Sequence, residues 1–152
     1  MFYSEQTFCY CTFMAPGLSI IIPVYNAEST LGTALQSIKD GWSRNFGLEI
    51  LIVDDGSDAP EKIEDICEQY EGMAIRLLRL EANAGKAAAV NTGIENSTGT
   101  FLLQLDADDT LLPDWSDTFV RLRTTWPDEV NFFLTVCQDE QGQPTQEIPR
   151  YQ

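Results

Sequence analysis

Two short acidic stretches carry the residues best suited to chemistry: Asp54-Asp55-Gly56-Ser57-Asp58 and, about 50 residues later, Asp106-Ala107-Asp108-Asp109. Asp106 and Asp108 are one residue apart, so in an extended segment their side chains point the same way, and a tight turn lets them share a hard cation. Such a site offers oxygen ligands only. Magnesium and manganese suit it, because both accept one or two carboxylates and complete their shells with water and substrate phosphates. The competing role is helix capping, since acids near the start of a helix beginning near Pro113 are favoured by its dipole. That role fits Asp109 and Asp114 better than a pair lying directly after an apolar strand. Asp54 to Ser57 are also ordinary turn formers, and Ser57 or Asp58 could cap the helix that follows. Asn83-Ala84-Gly85-Lys86 precedes a helix whose Ala87, Ala88 and Ala89 permit close packing. There Gly85 lets the backbone approach a ligand and Lys86 can meet a phosphate near a helix N-terminus. The alternative is a solvated surface lysine.

The charge balance restricts what these groups can serve. Nine Lys and Arg stand against 24 Asp and Glu in 152 residues, a formal charge of −15, and there is no histidine. Imidazole catalysis, His-based triads and His-ligated zinc are therefore excluded. An acidic surface argues against nucleic acid as a partner, which needs Lys and Arg along the phosphates. A polyanion bound here needs positive charge from another source, and a cation on Asp106 and Asp108 would supply it. Residues 54 to 71 hold eight acids against the single Lys62, and residues 106 to 117 hold five against no base. Most of the first group belongs to the solvated face of a helix and serves solubility.

The elements that must position these residues alternate between short β-rich apolar runs and segments of helical period, the pattern of a βαβ fold with a parallel sheet. Strands are expected at Leu18 to Val24, Leu48 to Val53, Ile75 to Leu80, Thr100 to Leu105 and Val130 to Val136. Leu31, Leu35, Ile38 and Trp42 mark the first helix, behind Asn26 as a candidate N-cap. Ile63, Ile66, Cys67 and Tyr70 mark the second, residues 85 to 96 the third, and Trp115, Phe119, Leu122 and Trp126 the fourth. In an open parallel sheet, ligands bind at the carboxyl ends of the strands near the point where the winding reverses. Both acidic loops follow strands and so converge on that rim.

Length and apolar content fit one domain. Residues 1–17 read as an N-terminal extension, rich in aromatics and expected to be poorly ordered, with Met14 as a candidate natural start and a docking arm as the alternative. Residues 18–138 form the domain, and residues 139–152 a polar tail or truncated edge. The longest apolar run, around Leu18 to Val24, is far short of the roughly 20 residues that cross a bilayer, and the N-terminus has no basic region of a signal peptide. The chain is expected to be soluble and cytoplasmic, with no transmembrane segment; peripheral membrane contact stays compatible with it. Cys9, Cys11, Cys67 and Cys137 are expected to be structural or incidental thiols.

Four stretches occur in an order and spacing that resemble glycosyltransferase family 2 enzymes of the GT-A fold: Ser19-Ile-Ile-Ile-Pro-Val-Tyr-Asn26, Ile52-Val-Asp-Asp-Gly-Ser57, Asn83-Ala-Gly-Lys-Ala-Ala-Ala-Val-Asn-Thr-Gly-Ile94 and Leu105-Asp-Ala-Asp-Asp109. The resemblance implies an α/β, Rossmann-like sandwich with a mostly parallel sheet flanked by helices, truncated after the fifth strand. It further implies that Pro23 and Tyr25 line a base pocket, that Asp55 hydrogen-bonds the base of a nucleoside-diphosphate sugar, that Asp106 faces the ribose or the metal, and that Asp108 binds the metal. Lys86 lies where the family often places a basic residue near the nucleotide. A carboxylate at Asp55 can accept the imide N–H of uracil, which favours a UDP-sugar. The implied reaction is transfer of the sugar to an acceptor hydroxyl with inversion, with Mn2+ or Mg2+ as Lewis acid on the departing diphosphate.

Full-length members continue with an acceptor site and an acidic general base, and nothing after Cys137 matches that part. The catalytic base is therefore expected to be missing from this chain, the acceptor is unassigned, and turnover by the chain alone is doubtful. Three alternatives stay open at this point: a non-catalytic nucleotide-sugar-binding module, a receiver-type signalling domain, and a nucleotidyltransferase. The receiver reading lacks a lysine after Lys86, and the nucleotidyltransferase reading lacks a Gly-rich basic loop after the first strand.

Overall fold

The computed structural model describes residues 17–125. Four strands and four helices alternate along them: β1 (Leu18–Val24), α1 (Leu31–Gly41), β2 (Leu48–Asp54), α2 (Pro60–Glu68), β3 (Ile75–Arg79), α3 (Lys86–Asn96), β4 (Phe101–Gln104) and α4 (Trp115–Thr125). The strands form one parallel sheet in the order β3-β2-β1-β4. The expected fifth strand at Val130 to Val136 lies outside the described residues, as do residues 1–16, Cys9, Cys11 and Cys137. The chain divides after Phe119 into two compact units, and everything described below belongs to the first. Of the second, residues 120–125 continue α4, where the Thr124 hydroxyl donates to the carbonyls of Val120 and Arg121.

The core follows from the continuous apolar strands. Ile20, Ile21, Ile22, Ile50, Leu51, Ile52 and Val53 are buried almost completely, as expected for strands covered on both faces. α1 presents Leu31, Ala34, Leu35 and Ile38 to the core. α3 packs through its smallest residues. A Cβ at Gly93 would stand 2.4 Å from Ile21 Cγ2, and Ala89 is buried against the same surface. Of the three alanines expected to allow this approach, only Ala89 is fully buried; Ala87 faces solvent. Phe46 and Phe101 contact Phe119, and Trp115 donates its indole N–H to the Ile38 carbonyl.

Several boundaries and caps differ from the sequence reading. Asn26 does not cap α1, which begins five residues later with Thr30 at the N-cap position and no side-chain cap. Asn26 instead adopts φ 50°, a left-handed conformation that asparagine tolerates better than most residues. Neither Ser57 nor Asp58 caps α2, whose N-cap is Ala59 with Pro60 opening the helix, because both side chains are engaged with Asn26. Tyr70 lies beyond the end of α2, and its hydroxyl donates to the Gly32 carbonyl at 2.6 Å. Burial, with the charges of Glu64 and Glu68 adding to it, pushes the Cys67 thiol up to about 11. It is therefore protonated and unreactive at neutral pH.

β1 contains a proline although it is a central strand, a place proline normally avoids. The register resolves this. Leu105 N–H donates to the Ile21 carbonyl, whereas Asp55 N–H donates to the Val24 carbonyl. Residues 21 and 23 thus turn their backbone polar groups toward β4, and residue 24 toward β2. The β1–β4 pairing ends at Ile21 with Gln104, so Pro23, where the next N–H toward β4 would stand, ends the ladder and does not interrupt it. From there β1 and β4 part. The winding also reverses between them, because the chain runs β1, β2, β3 on one side and returns to β4 on the other.

Candidate functional site

The parting of β1 and β4 opens a cavity of about 590 Å³ at the carboxyl rim. Its lining gathers Pro23, Tyr25, Asp55, Lys86, Asp106 and Asp108, so the structure brings all six residues singled out from the sequence to one place. Tyr25 is 48% exposed at its mouth.

The loop after β1 and the loop after β2 are clasped together. Asn26 backbone N–H donates to Ser57 Oγ at 2.9 Å, its side-chain amide donates to Asp58 Oδ2 at 2.9 Å, and its Oδ1 accepts the Asp58 backbone N–H at 2.8 Å. The reciprocal pair fixes the turn that carries Tyr25. Sequence reading missed this pairing, since it joins residues 32 apart and each looked like a local cap.

The two adjacent aspartates after β2 have different tasks. Asp54 is fully buried; it accepts the Ser57 N–H at 2.9 Å and the Arg79 Nε at 3.0 Å. Arg79 in turn donates to the Pro60 carbonyl and pairs with Glu64. Asp54 therefore shapes its own loop. Asp55, 3% exposed, points the other way and accepts the backbone N–H groups of Ala84 at 2.7 Å and Gly85 at 2.8 Å. It pins the loop that leads into α3. Gly56, at φ 74°, lets that loop come close: a Cβ there would stand 2.8 Å from Ala82 C and Asn83 N. Each carboxylate oxygen has two lone pairs, so Asp55 keeps acceptor capacity toward the cavity after both loop bonds are made.

At the opposite wall, Lys86 Nζ lies 2.6 Å from Asp106 Oδ2, and Gln104 Nε2 donates to Asp106 Oδ1 at 3.1 Å. Burial raises the Asp106 carboxyl, but the hydrogen bonds from Lys86 and Gln104 and the ammonium charge outweigh it and hold the group below the usual aspartate range. Burial, then the charges of Asp106 and Asp108, push Asp109 up, with Lys86 partly offsetting them. Asp108 is exposed and makes no hydrogen bond or ion pair among the described residues.

Among the described residues, no three His, Cys, Asp or Glu side chains form a group able to hold a metal. Asp106 and Asp108 alone are an open, all-oxygen donor pair. That composition fits Mg2+ or Mn2+ completed by ligand phosphates, and does not fit a closed structural site.

The sequence profile described as Glycosyl transferase family 2 matches residues 19–147. The chain belongs to glycosyltransferase family 2. Curated relatives of this family 2 domain include the putative glycosyltransferase EpsH of Bacillus subtilis, 35% identical over 80% of this chain and 33% of its own length. The glycosyltransferase GlyA of Streptococcus pneumoniae is 36% identical over 68% of this chain and 14% of its own. The chain thus spans a third or less of the length of these two relatives. Among solved structures, the mannosyltransferase PcManGT of Pyrobaculum calidifontis, in complex with GDP-Man and Mn2+, superposes with TM-score 0.61 at 26% identity, covering 72% of this chain and 33% of that one. S. aureus TarS in complex with UDP-GlcNAc gives TM-score 0.59 at 26% identity, covering 70% and 31%. The GT-A architecture expected from the four motifs is thereby established, and family membership removes the receiver and nucleotidyltransferase alternatives. Among the described residues no helix is long and apolar enough to cross a membrane.

Proposed function

We propose that this domain binds a nucleoside-diphosphate sugar for transfer to an acceptor hydroxyl with inversion. The observation that supports the reading most strongly is the convergence of an aromatic, a buried carboxylate, a lysine and two further carboxylates on one cavity at the switch point of the sheet. In it Pro23 and Tyr25 flank the base and Asp55 accepts its N–H, which suits the imide of uracil. Lys86 meets the diphosphate at the start of α3. Asp106 and Asp108 hold Mn2+ or Mg2+, which when bound neutralises charge on the departing diphosphate. The cavity volume lies within the roughly 300–1,000 Å³ typical of small-molecule sites. The relatives captured with ligands support the same class of donor, since one holds GDP-Man with Mn2+ and another UDP-GlcNAc. No residue of this chain is assigned to the acceptor or to a general base.

Calorimetric titration of UDP and GDP, with and without Mn2+, tests the reading. UDP is expected to bind more tightly with the metal by about tenfold or more, and Asp108→Ala is expected to remove that gain. Binding that ignores both the metal and the substitution would overturn it.

A further inference from the structure

Lys86 is the first residue of α3, an 11-residue helix with no side-chain cap. A cation is disfavoured there, because the positive end of the helix dipole lies beside it. What holds it is Asp106, whose Oδ2 sits 2.6 Å away, while Gln104 covers Oδ1. Both oxygens of Asp106 thus face protein donors, one of them a full positive charge, whereas Asp108 faces none among the described residues. A divalent ion approaching the pair meets Asp108 unopposed and Asp106 already neutralised.

From this arrangement we infer that Lys86 is a removable counter-ion of Asp106, which makes divalent-metal binding depend on arrival of a nucleoside diphosphate. The inference rests on the donor-site reading above and adds an order to it. The pair is open to solvent, with side-chain exposures of 57% for Lys86 and 34% for Asp106, so the ion pair is weak enough to exchange. A diphosphate entering the cavity gives Lys86 a second anionic partner in a place the helix dipole already favours for anions. Lys86 moves to it, and Asp106 regains a full charge facing the cavity beside Asp108. The two ligands then support one another through the protein as well as through direct contact, and by linkage the coupling is reciprocal. In the free protein the same lysine keeps the acidic rim from collecting metal on its own.

The test measures Mn2+ binding directly, by electron paramagnetic resonance of free Mn2+ and by calorimetry, on the 152-residue chain without nucleotide. It compares the parent protein with Lys86→Gln, Lys86→Arg and Asp108→Ala, and then measures UDP binding in metal-free buffer. Lys86→Gln is expected to bind Mn2+ alone about three- to tenfold more tightly than the parent and UDP alone more weakly, while Lys86→Arg follows the parent. Unchanged or weaker Mn2+ binding in Lys86→Gln, with Mn2+-dependent UDP binding intact and still lost in Asp108→Ala, would overturn the counter-ion role and leave the donor site standing. Absence of Mn2+ binding in every sample, with or without UDP, would overturn the counter-ion role together with the metal site itself. Circular dichroism of each variant separates these results from misfolding.

Discussion

At the amino-terminal rim of the sheet, Glu49 is buried and held by five groups, whereas at the carboxyl rim Asp106 is held by two long side chains and Asp108 by none among the described residues. The Ser19 hydroxyl, the Thr98 N–H and hydroxyl and the Gly99 N–H all donate to Glu49, and Arg76 pairs with it at 3.6 Å. A Cβ on Gly99 would stand 2.4 Å from Ser19 Oγ, so the loop into β4 is built to close over this carboxylate. Backbone donors cannot leave without unfolding the loop. Lysine and glutamine side chains can. The same chemical group thus serves as a rivet at one end of the sheet and as an exchangeable ligand at the other, and the identity of the donors decides which. Asp55 stands between these extremes: both its protein partners are backbone N–H groups, yet it lines the cavity.

The contrast can be broken first at the riveted end. Glu49→Ala strands several buried donors and is expected to cost about 3 kcal/mol of unfolding free energy in urea denaturation. Asp108→Ala, measured alongside, should stay within about 0.5 kcal/mol of the parent. Equal costs for the two would erase the distinction. Asp55→Ala should combine both effects, with a loss of about 1–3 kcal/mol from two freed backbone donors and a loss of UDP binding at temperatures where the variant is still folded. Intact UDP affinity in that variant would confine Asp55 to its loop-pinning task. The smallest effect is in the pH dependence. Burial raises the Glu49 carboxyl, but the hydrogen bonds from Ser19, Thr98 and Gly99 outweigh it and place it below the usual glutamate range. A depressed folded value means that the ionised group stabilises the fold above the unfolded pKa and that this contribution is lost as pH falls through the folded one. The stability difference between the parent and Glu49→Gln should therefore narrow on acidification from about pH 6 to pH 3; a gap that is constant with pH would deny Glu49 its charge-dependent role.

The strands were legible because their apolar runs are uninterrupted enough to announce burial on both faces, and the site was legible because acids followed those runs directly. The partners were not legible. Glu49 sits second in Leu48-Glu-Ile50 and reads as an ordinary strand polar residue, since its donors come from residues up to 50 positions away. Asp54 and Asp55 are adjacent and of one type, and only the alternation of the strand sends one inward to Arg79 and the other toward Ala84. Asn26 and Asp58 each carry a strong local capping propensity, and the long-range bond between them overrides both. α1 accordingly begins at Leu31, where its apolar period begins, without Asn26 as its cap.

Pro23 has a consequence for how this site changes over time. The gap between β1 and β4 opens where Pro23 has no backbone hydrogen to offer β4, and no exchange of the other side chains around the rim supplies one. A change in one of the other lining side chains leaves that backbone gap in place. Having a place for a ligand and choosing which ligand are separable properties of this sheet. The first rests on where β1 and β4 part, and the second is left to the loops.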